Sequence, residues 1–374
     1  MKNPVNPMRN RSILDTAQTR RLVPAVLSIA VTAALTTACG GGSSSSASDN
    51  TLVLGCYPAA SGTNWNTLFK KYVEPAFKKM TGAKISYIQG NSLDTVAKLQ
   101  AERNDPQMDA ACIDTGPNIL AQQRGLIATN DASIVTNLTK VKSYAKDKNN
   151  LGVTISSLAA GLAYNTKEYK AHNLPAPTSW NDLTDPAVKG HVVLTDVSNT
   201  LGVTMLAMLA RTNGGSESDI DPGFDAAKEV AANSFASTNN DDVSSYYQSG
   251  GAWLSLWTNS EEATFESTSK FPVKFVYPNE GAVAIGQTIA AVKNSPHPEL
   301  AQKFIQLMLS PEIQKQLGEL CSLTPVVSGV KLSAKAAKTV GLGKRLVSLD
   351  WATINKERDA WTQQWAQDVT SNLH

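Results

Sequence analysis

Three short runs of apolar and β-branched residues, each followed by a segment of helical periodicity, open the part of the chain beyond residue 49. The runs are Asn50–Cys56, Ala83–Gln89 and Met108–Ile113. In the first helical segment Trp65 and Phe69 begin an apolar face, and Gly82 is a typical residue to end the helix. The repeated order of strand, loop and helix predicts a parallel sheet with helices packed on its faces.

Each of these predicted strands ends in a loop of hydroxyl, amide or carboxylate side chains. They are Ser61, Thr63 and Asn64 after the first strand, Asn91 and Ser92 after the second, and Asp114 and Thr115 after the third. Such residues are also the usual N-caps of helices, so capping explains each loop taken alone. Because ligands of open α/β sheets bind at the carboxyl ends of the strands, the three loops together predict one wall of a cleft.

Two later strands are predicted to end in the same kind of loop. After His191–Thr195 come Asp196, Ser198, Asn199 and Thr200. After Ala252–Trp257 come Thr258, Asn259 and Ser260, which open a short helix. These loops offer backbone N–H groups and small hydroxyls, and they predict a second wall.

Composition and charge narrow the class of protein. The chain has 374 residues with 42% hydrophobic content, which is enough for two domains with large cores. Its net charge of +2 depends on the five basic residues and one acid of Met1–Ala38, and without them 29 basic and 31 acidic residues remain. No basic stripe interleaved with aromatic residues is present, so nucleic acid is not an expected partner.

The first residues have the order of a signal peptide, with basic residues, an uncharged apolar stretch Leu22–Ala38 and small residues before Cys39. We predict a lipoprotein-type signal peptide over 1–38 and a Gly/Ser tether over 39–50. The sequence Thr-Thr-Ala-Cys-Gly resembles a bacterial lipoprotein processing site with Cys39 lipidated, although Leu35 lies four residues before the cysteine instead of three. Ordinary cleavage near Ala38 is the alternative.

The remaining cysteines are Cys56, Cys112 and Cys321, an odd number for an oxidising compartment. The strands that carry Cys56 and Cys112 are predicted neighbours, which leaves both a Cys56–Cys112 disulfide and two buried thiols open. No Cys-x-x-Cys motif or close pair of histidines is present, so we predict no metal site and no cofactor.

Motifs further along the chain carry a resemblance to a known family. They are Pro-Thr-Ser-Trp-x-x-Leu at 177–183, Asp-Pro at 185–186, Lys-Gly at 189–190, Pro-Glu-Leu-Ala-x-Lys-Phe-Ile at 298–305 and Ser-Pro-Glu-Ile-Gln-x-x-Leu at 310–317. In this order they resemble the bacterial extracellular (periplasmic) solute-binding proteins, the ligand-capturing subunits of ABC importers. The likeness is strongest to the group that serves polyamines, ferric iron, thiamine and phosphonates.

The resemblance implies an α/β protein with the two-lobed, type II periplasmic-binding-protein fold. Each lobe is then a mixed, mostly parallel sheet flanked by helices, and two hinge crossovers join them. A long strand over Leu151–Asn165 is the first crossover, with Tyr164 just past the hinge, and Pro278–Gly281 marks the second. We expect lobe 1 to contain 51–158 and 279–320, and lobe 2 to contain 159–278 and 321–374.

The implied function is capture of a small polar solute in the interlobe cleft by a monomer in the periplasm. The closed form then docks on an ABC permease, which acts with its ATPase in the inner membrane. A lipid-anchored sensor or surface protein on the same fold is the alternative. An enzyme is not expected, because no Gly-x-Ser-x-Gly, P-loop, His-Glu-x-x-His or dinucleotide-binding motif is found.

Two ligand classes stay open at the level of sequence. Trp257 lies where the resemblance puts an aromatic at the cleft, which implies that it stacks on a ligand, with packing in the core as the alternative. Gln287 lies in the run where polyamine binders of the family place an aromatic and an Asp, and this departure counts against a polyamine. Carboxylates and aromatics favour a polyamine-like amine. Hydroxyls, amides and helix N-termini favour a small organic anion, but no Arg or Lys is found in the loops, and Asp196 would repel an anion.

Overall fold

The computed structural model describes residues 50–56, 64–238, 243–343 and 345–373. The predicted signal peptide, Cys39 with the tether up to residue 49, and the predicted site residues Ser61 and Thr63 lie outside the described residues.

The described residues form eleven strands, and the three runs that open the sequence are the first three of them. The strands are β1 Thr51–Gly55, β2 Lys84–Ile88, β3 Ala110–Asp114, β4 Val153–Asn165, β5 Val192–Thr195, β6 Ser234–Thr238, β7 Leu254–Thr258, β8 Val273–Val276, β9 Ala282–Ala291, β10 Thr324–Pro325 and β11 Leu346–Val347.

Helices separate most of the strands, as the periodicity predicts. They are α1 Trp65–Leu68, α2 Glu74–Thr81, α3 Ser92–Ala101, α4 Thr115–Gln123, α5 Thr166–Ala171, α6 Thr200–Thr212, α7 Asp221–Asn233, α8 Val243–Gln248, α9 Asn259–Ser269, α10 Pro298–Met308, α11 Pro311–Cys321, α12 Ala336–Thr339 and α13 Trp351–Asp368. A π-helical segment, Phe69–Val73, joins α1 to α2.

Two groups of parallel strands lie on either side of a central antiparallel pair. β2, β1 and β3 are parallel to one another, as are β7, β5 and β6. Between them β9 and β4 run antiparallel, which gives the order β2-β1-β3-β9-β4-β7-β5-β6. β4 pairs with β9 through its first half and with β7 through its second, so it passes from one group of strands to the other. The described residues, which begin at Asn50, form one compact unit.

A disulfide joins Cys56, directly after β1, to Cys112 within β3. Of the two alternatives that the sequence leaves open, the structure therefore has the bridge. Cys321 is free and buried at the end of α11, where burial raises the pKa of its thiol to about 12. The bridge fixes two strand ends whose following loops were predicted to form the first wall.

The C-terminal helix α13 contacts one helix beside each group of strands, α4 and α7. Its first residue, Trp351, lies against Gly116 in the first turn of α4, so closely that a Cβ atom at Gly116 would be 2.3 Å from the Trp351 ring. Trp365, near its end, packs on Phe224 of α7 with ring centroids 6.5 Å apart. α13 therefore touches elements of both predicted lobes, although the sequence assigns it to the second.

Candidate functional site

The carboxyl ends of the two groups of strands approach one another over the central pair. Asp114, the last residue of β3, is opposite Gln287 of β9, which is opposite Ser156 of β4. Thr258, the last residue of β7, is opposite Ala160 of β4, and β7 runs in the opposite direction to β3. Four residues of β4 span about 13 Å. The polar loops that follow the two strands therefore face each other across a gap that is wide enough for a small molecule.

The first wall consists of the residues that follow β1, β2 and β3. Ser92 and Asp114 are brought together, because the Ser92 hydroxyl donates to Asp114 Oδ2 at 3.1 Å and accepts from the Asp114 amide at 3.1 Å. Thr115 Oγ1 bonds the backbone of Gly286 at 2.9 and 3.1 Å. Asn91 caps α3, and Asn64 donates to the Leu320 carbonyl at 2.6 Å, so both amides have structural bonds.

The second wall begins with the loop between β5 and α6. Asp196 Oδ1 accepts from the Ser198 amide at 2.8 Å, and Asn199 caps α6 by accepting from the Gly202 amide at 2.9 Å. Thr200, the first residue of the helix, is buried. At Gly202 a Cβ atom would lie 1.9 Å from the Asp196 carbonyl oxygen, so this close turn requires glycine.

The second wall continues at the N-terminus of α9. Thr258 caps the helix and donates to Glu261 Oε2 at 2.6 Å, which explains how a buried carboxylate is held there. Asn259 accepts from the Ala159 amide at 2.7 Å and donates to the Gly341 carbonyl at 2.7 Å. Ser260 is buried beside Thr258, with hydroxyl oxygens 3.3 Å apart.

Gln287 and Ser156 form the floor between the walls. Ser156 is fully buried and donates to Gln287 Oε1 at 2.7 Å. An apolar cavity adjoins Gln287 and is lined also by Cys56, Trp65 and Ile155. We did not predict Ser156 as a site residue from the sequence. The pattern that could have indicated it is a pair of adjacent serines within a long apolar strand.

Two predicted site residues lie elsewhere. Tyr164 pairs with Leu254, the first residue of β7, and packs against Tyr169, so it lies at the far end of β7 from the walls. Trp257 is 1% exposed, with its ring against Tyr247 and Phe265 at centroid distances of 5.5 Å. Side chains alternate along a strand, and Trp257 faces this aromatic cluster, so the structure corrects the prediction that it stacks on a ligand.

Arg358, a cationic residue of the C-terminal helix, contacts the second wall. We did not predict this contact from the sequence. Arg358 of α13 is 6% exposed and points a guanidinium nitrogen at the Val197 carbonyl, 3.4 Å away. Three residues earlier, Asn355 donates to the Gly116 carbonyl of the first wall at 2.9 Å. The loops themselves hold no Arg or Lys, as the sequence indicates, but the fold supplies one.

Two other features of the described residues bear on function. Their His, Cys, Asp and Glu side chains do not come together in groups of three or more that could hold a metal ion. Across the same ranges, every helix is too short or too polar to cross a membrane.

Comparison with known proteins identifies the family. Residues 73–344 match the family model of the bacterial extracellular solute-binding proteins. The spermidine/putrescine-binding periplasmic protein of Escherichia coli strain K12 is 26% identical over 298 residues, which are 75% of this chain and 83% of that protein. A putative 2-aminoethylphosphonate-binding periplasmic protein of Salmonella typhimurium is 26% identical over 300 residues, 78% of this chain and 84% of that protein.

A solved structure confirms the fold. The periplasmic binding protein AfuA of Actinobacillus pleuropneumoniae, with fructose-6-phosphate bound, superposes with a TM-score of 0.71 at 22% identity, over 85% of this chain and 98% of that one. The predicted two-lobed, type II periplasmic-binding-protein fold is therefore correct, and the alternative of a sensor or surface protein is not favoured. Since the family model covers most of the chain, this protein belongs to the bacterial extracellular solute-binding proteins and is the extracytoplasmic binding subunit of an ABC importer, not an enzyme.

Proposed function

We propose that the first and second walls close on a small polar solute, which is either a polyamine-like amine or a small organic anion. The observation that carries this proposal is the head-on approach of β3 and β7, whose polar ends lie on opposite sides of the Ser156–Ala160 segment. Hydroxyls, amides and helix N-termini from both walls then contact one molecule. The names of the two relatives, for a polyamine and for an aminophosphonate, agree with these two classes.

The same proposal includes the export of the protein, its attachment to the membrane and its partners. The signal peptide 1–38 directs export, Cys39 carries a lipid anchor, and a monomer delivers its ligand to one permease and its ATPase. Mass spectrometry of the mature N-terminus tests the anchor, since a diacylated Cys39 has a different mass from a free N-terminus near Ala38. Replacement of Cys39 by Ala is expected to release the protein from membranes.

Binding is tested by thermal-shift measurements on the purified protein with putrescine, spermidine, 2-aminoethylphosphonate, glycerol phosphate and succinate. A ligand at 100 times its dissociation constant adds about 2.7 kcal/mol to the free energy of unfolding, so a true ligand raises Tm clearly. Isothermal titration calorimetry then gives its affinity. If no compound of either class raises Tm, the proposed ligand classes are wrong.

A further inference from the structure

Arg358 is a buried side chain, and two of its guanidinium nitrogens have no hydrogen-bond acceptor. The side chain is 6% exposed, and its Nε and Nη2 atoms have no hydrogen-bond partner within the described residues. Its one bond, from Nη1 to the Val197 carbonyl, is long at 3.4 Å. A buried guanidinium without an acceptor is costly, so such groups are retained where something else satisfies them.

The position of Arg358 is between the two walls. One turn earlier on the same face of α13, Asn355 bonds the Gly116 carbonyl in the first turn of α4, which follows Asp114 and Thr115 of the first wall. Three residues of helix rise about 4.5 Å. Arg358 itself bonds Val197, within the second-wall loop that leads to the N-terminus of α6. The guanidinium therefore contacts the second wall directly, and it lies about one helical turn from the Asn355 contact with the first wall.

The carboxylates of the two walls do not form ion pairs with Arg358. The carboxylates of the walls are bonded to protein donors: Asp114 to Ser92, Asp196 to the Ser198 amide, and Glu261 to Thr258. Within the described parts of the chain, no carboxylate lies within ion-pair distance of Arg358. Burial lowers the pKa of Arg358 to about 10, opposed by the negative charge of Asp359, so the group remains charged at neutral pH.

We propose that Arg358 binds an anionic group of the transported solute, a phosphonate, phosphate ester or carboxylate, through its free Nε and Nη2 donors. Those two nitrogens form the fork that pairs with two oxygens of such a group. The inference rests on the proposed function, because it decides between the two ligand classes. The second-wall helix N-terminus at Thr200 adds amides and a favourable dipole for the same charge.

The test compares three variants of the full, processed protein: Arg358→Met, Arg358→Lys and the control Arg211→Met. Arg211 is an arginine whose Nε and Nη2 atoms both have acceptors, with bonds to Glu217 at 2.6 and 3.0 Å and to the Ser348 carbonyl at 3.1 Å. For each protein, Tm without ligand and the dissociation constants of 2-aminoethylphosphonate, glycerol phosphate, succinate and spermidine are measured.

We expect at least one anion to bind the unmodified protein, and Arg358→Met to weaken that binding on the order of 30-fold or more. Arg358→Lys keeps the charge but loses the fork, so its affinity falls between the two. Without ligand, Arg358→Met should unfold at the same Tm or higher, since it removes unpaired buried donors. Arg211→Met should unfold at a lower Tm and bind the anion as the unmodified protein does.

Three results would overturn the inference. The first is an anion that binds Arg358→Met with unchanged affinity, and the second is a fall in the ligand-free Tm of Arg358→Met as large as that of Arg211→Met, which would mark Arg358 as structural. The third is stabilisation by spermidine or putrescine alone, which leaves the proposed function in place and rejects the anionic ligand. If none of the solutes binds, both proposals fail together.

Discussion

Glu262 is a partly buried carboxylate in the first turn of α9, close to the second wall. Burial raises its pKa to about 7, the charge of Glu266 adds to this, and a hydrogen bond from the Phe275 backbone and the charge of Lys274 oppose it. Because the folded protein holds this proton more tightly than the unfolded chain does, the group contributes stability below about pH 4.5, and that contribution is lost as the pH rises towards 7.

We therefore expect Glu262→Gln to match the unmodified protein at pH 4 and to be more stable at pH 8, by on the order of 1–2 kcal/mol after allowance for solvent screening. The glutamine is neutral at both pH values, whereas the glutamate becomes charged in its buried site. Thermal unfolding at a series of pH values between about 3.5 and 8.5 measures the difference.

Glu266→Gln is the matched control, because it removes an exposed carboxylate whose charge raises the pKa of Glu262. In that variant the loss of stability should begin at the same pH, end at a lower pH and be smaller, because only the folded-state pKa of Glu262 falls. A difference between Glu262→Gln and the unmodified protein that does not change with pH would contradict this account.

Single residues are also where the sequence was least informative. Asn91, Asn199 and Thr258 were predicted at strand ends because local capping chemistry marks them, and they lie there. Ser156 and Arg358 contribute to the floor and the second wall through tertiary contacts with residues more than 100 positions away. No local pattern encodes such contacts. Trp257 was predicted wrongly because alternation along a strand leaves open which face of the sheet meets the cleft.

At the scale of elements, the disulfide joins two strands that are needed for the first wall. Cys56 and Cys112 are 56 residues apart in sequence, and closing a loop of this size restricts the unfolded chain. We expect the double variant Cys56→Ala and Cys112→Ala to lose about 2–4 kcal/mol of unfolding free energy, measured by urea denaturation. Ligand affinity should fall as well, because the loops after β1 and β3 are then held only by the sheet.

Reduction provides the control for that prediction. Dithiothreitol should lower the Tm of the unmodified protein to that of the double variant and leave the double variant unchanged, since Cys321 is a free thiol in both. Equal stability of the unmodified protein and the double variant would show that the bridge contributes little to the folded state.

The elements themselves were largely predictable. Apolar runs bounded by polar loops identify β1, β2, β3 and β5 to within one or two residues, because buried parallel strands need such runs and helix caps need such loops. The partners of β4 and β9 were not visible in any local pattern. Their antiparallel pairing connects residues about 130 positions apart and was not predicted, since the resemblance to a family implied only the two crossovers.

At the scale of the molecule, closure requires contacts that exist in one arrangement of the walls and not in another. A separation of the walls would affect the contacts of α13, because this helix contacts elements on both sides. Asn355 bonds the first wall at Gly116, and Trp365 packs on α7 beside the other group of strands. If the walls separate, one of these contacts must break. The single hydrogen bond of Asn355 is weaker than the buried tryptophan packing, so it is the contact that we expect to open.

Removing that bond should therefore favour the open form without touching the ligand. Asn355→Ala loses about 1 kcal/mol of closed-state stability, which raises the dissociation constant by at most about fivefold. The radius of gyration from small-angle X-ray scattering should be larger without ligand and return to the unmodified value at saturation, because bound ligand again favours closure. Lys356→Ala, at the exposed neighbouring position, should change neither quantity. A fivefold loss of affinity with unchanged scattering would mean that Asn355 acts on the first wall itself, and unchanged affinity would mean that α13 does not take part in closure.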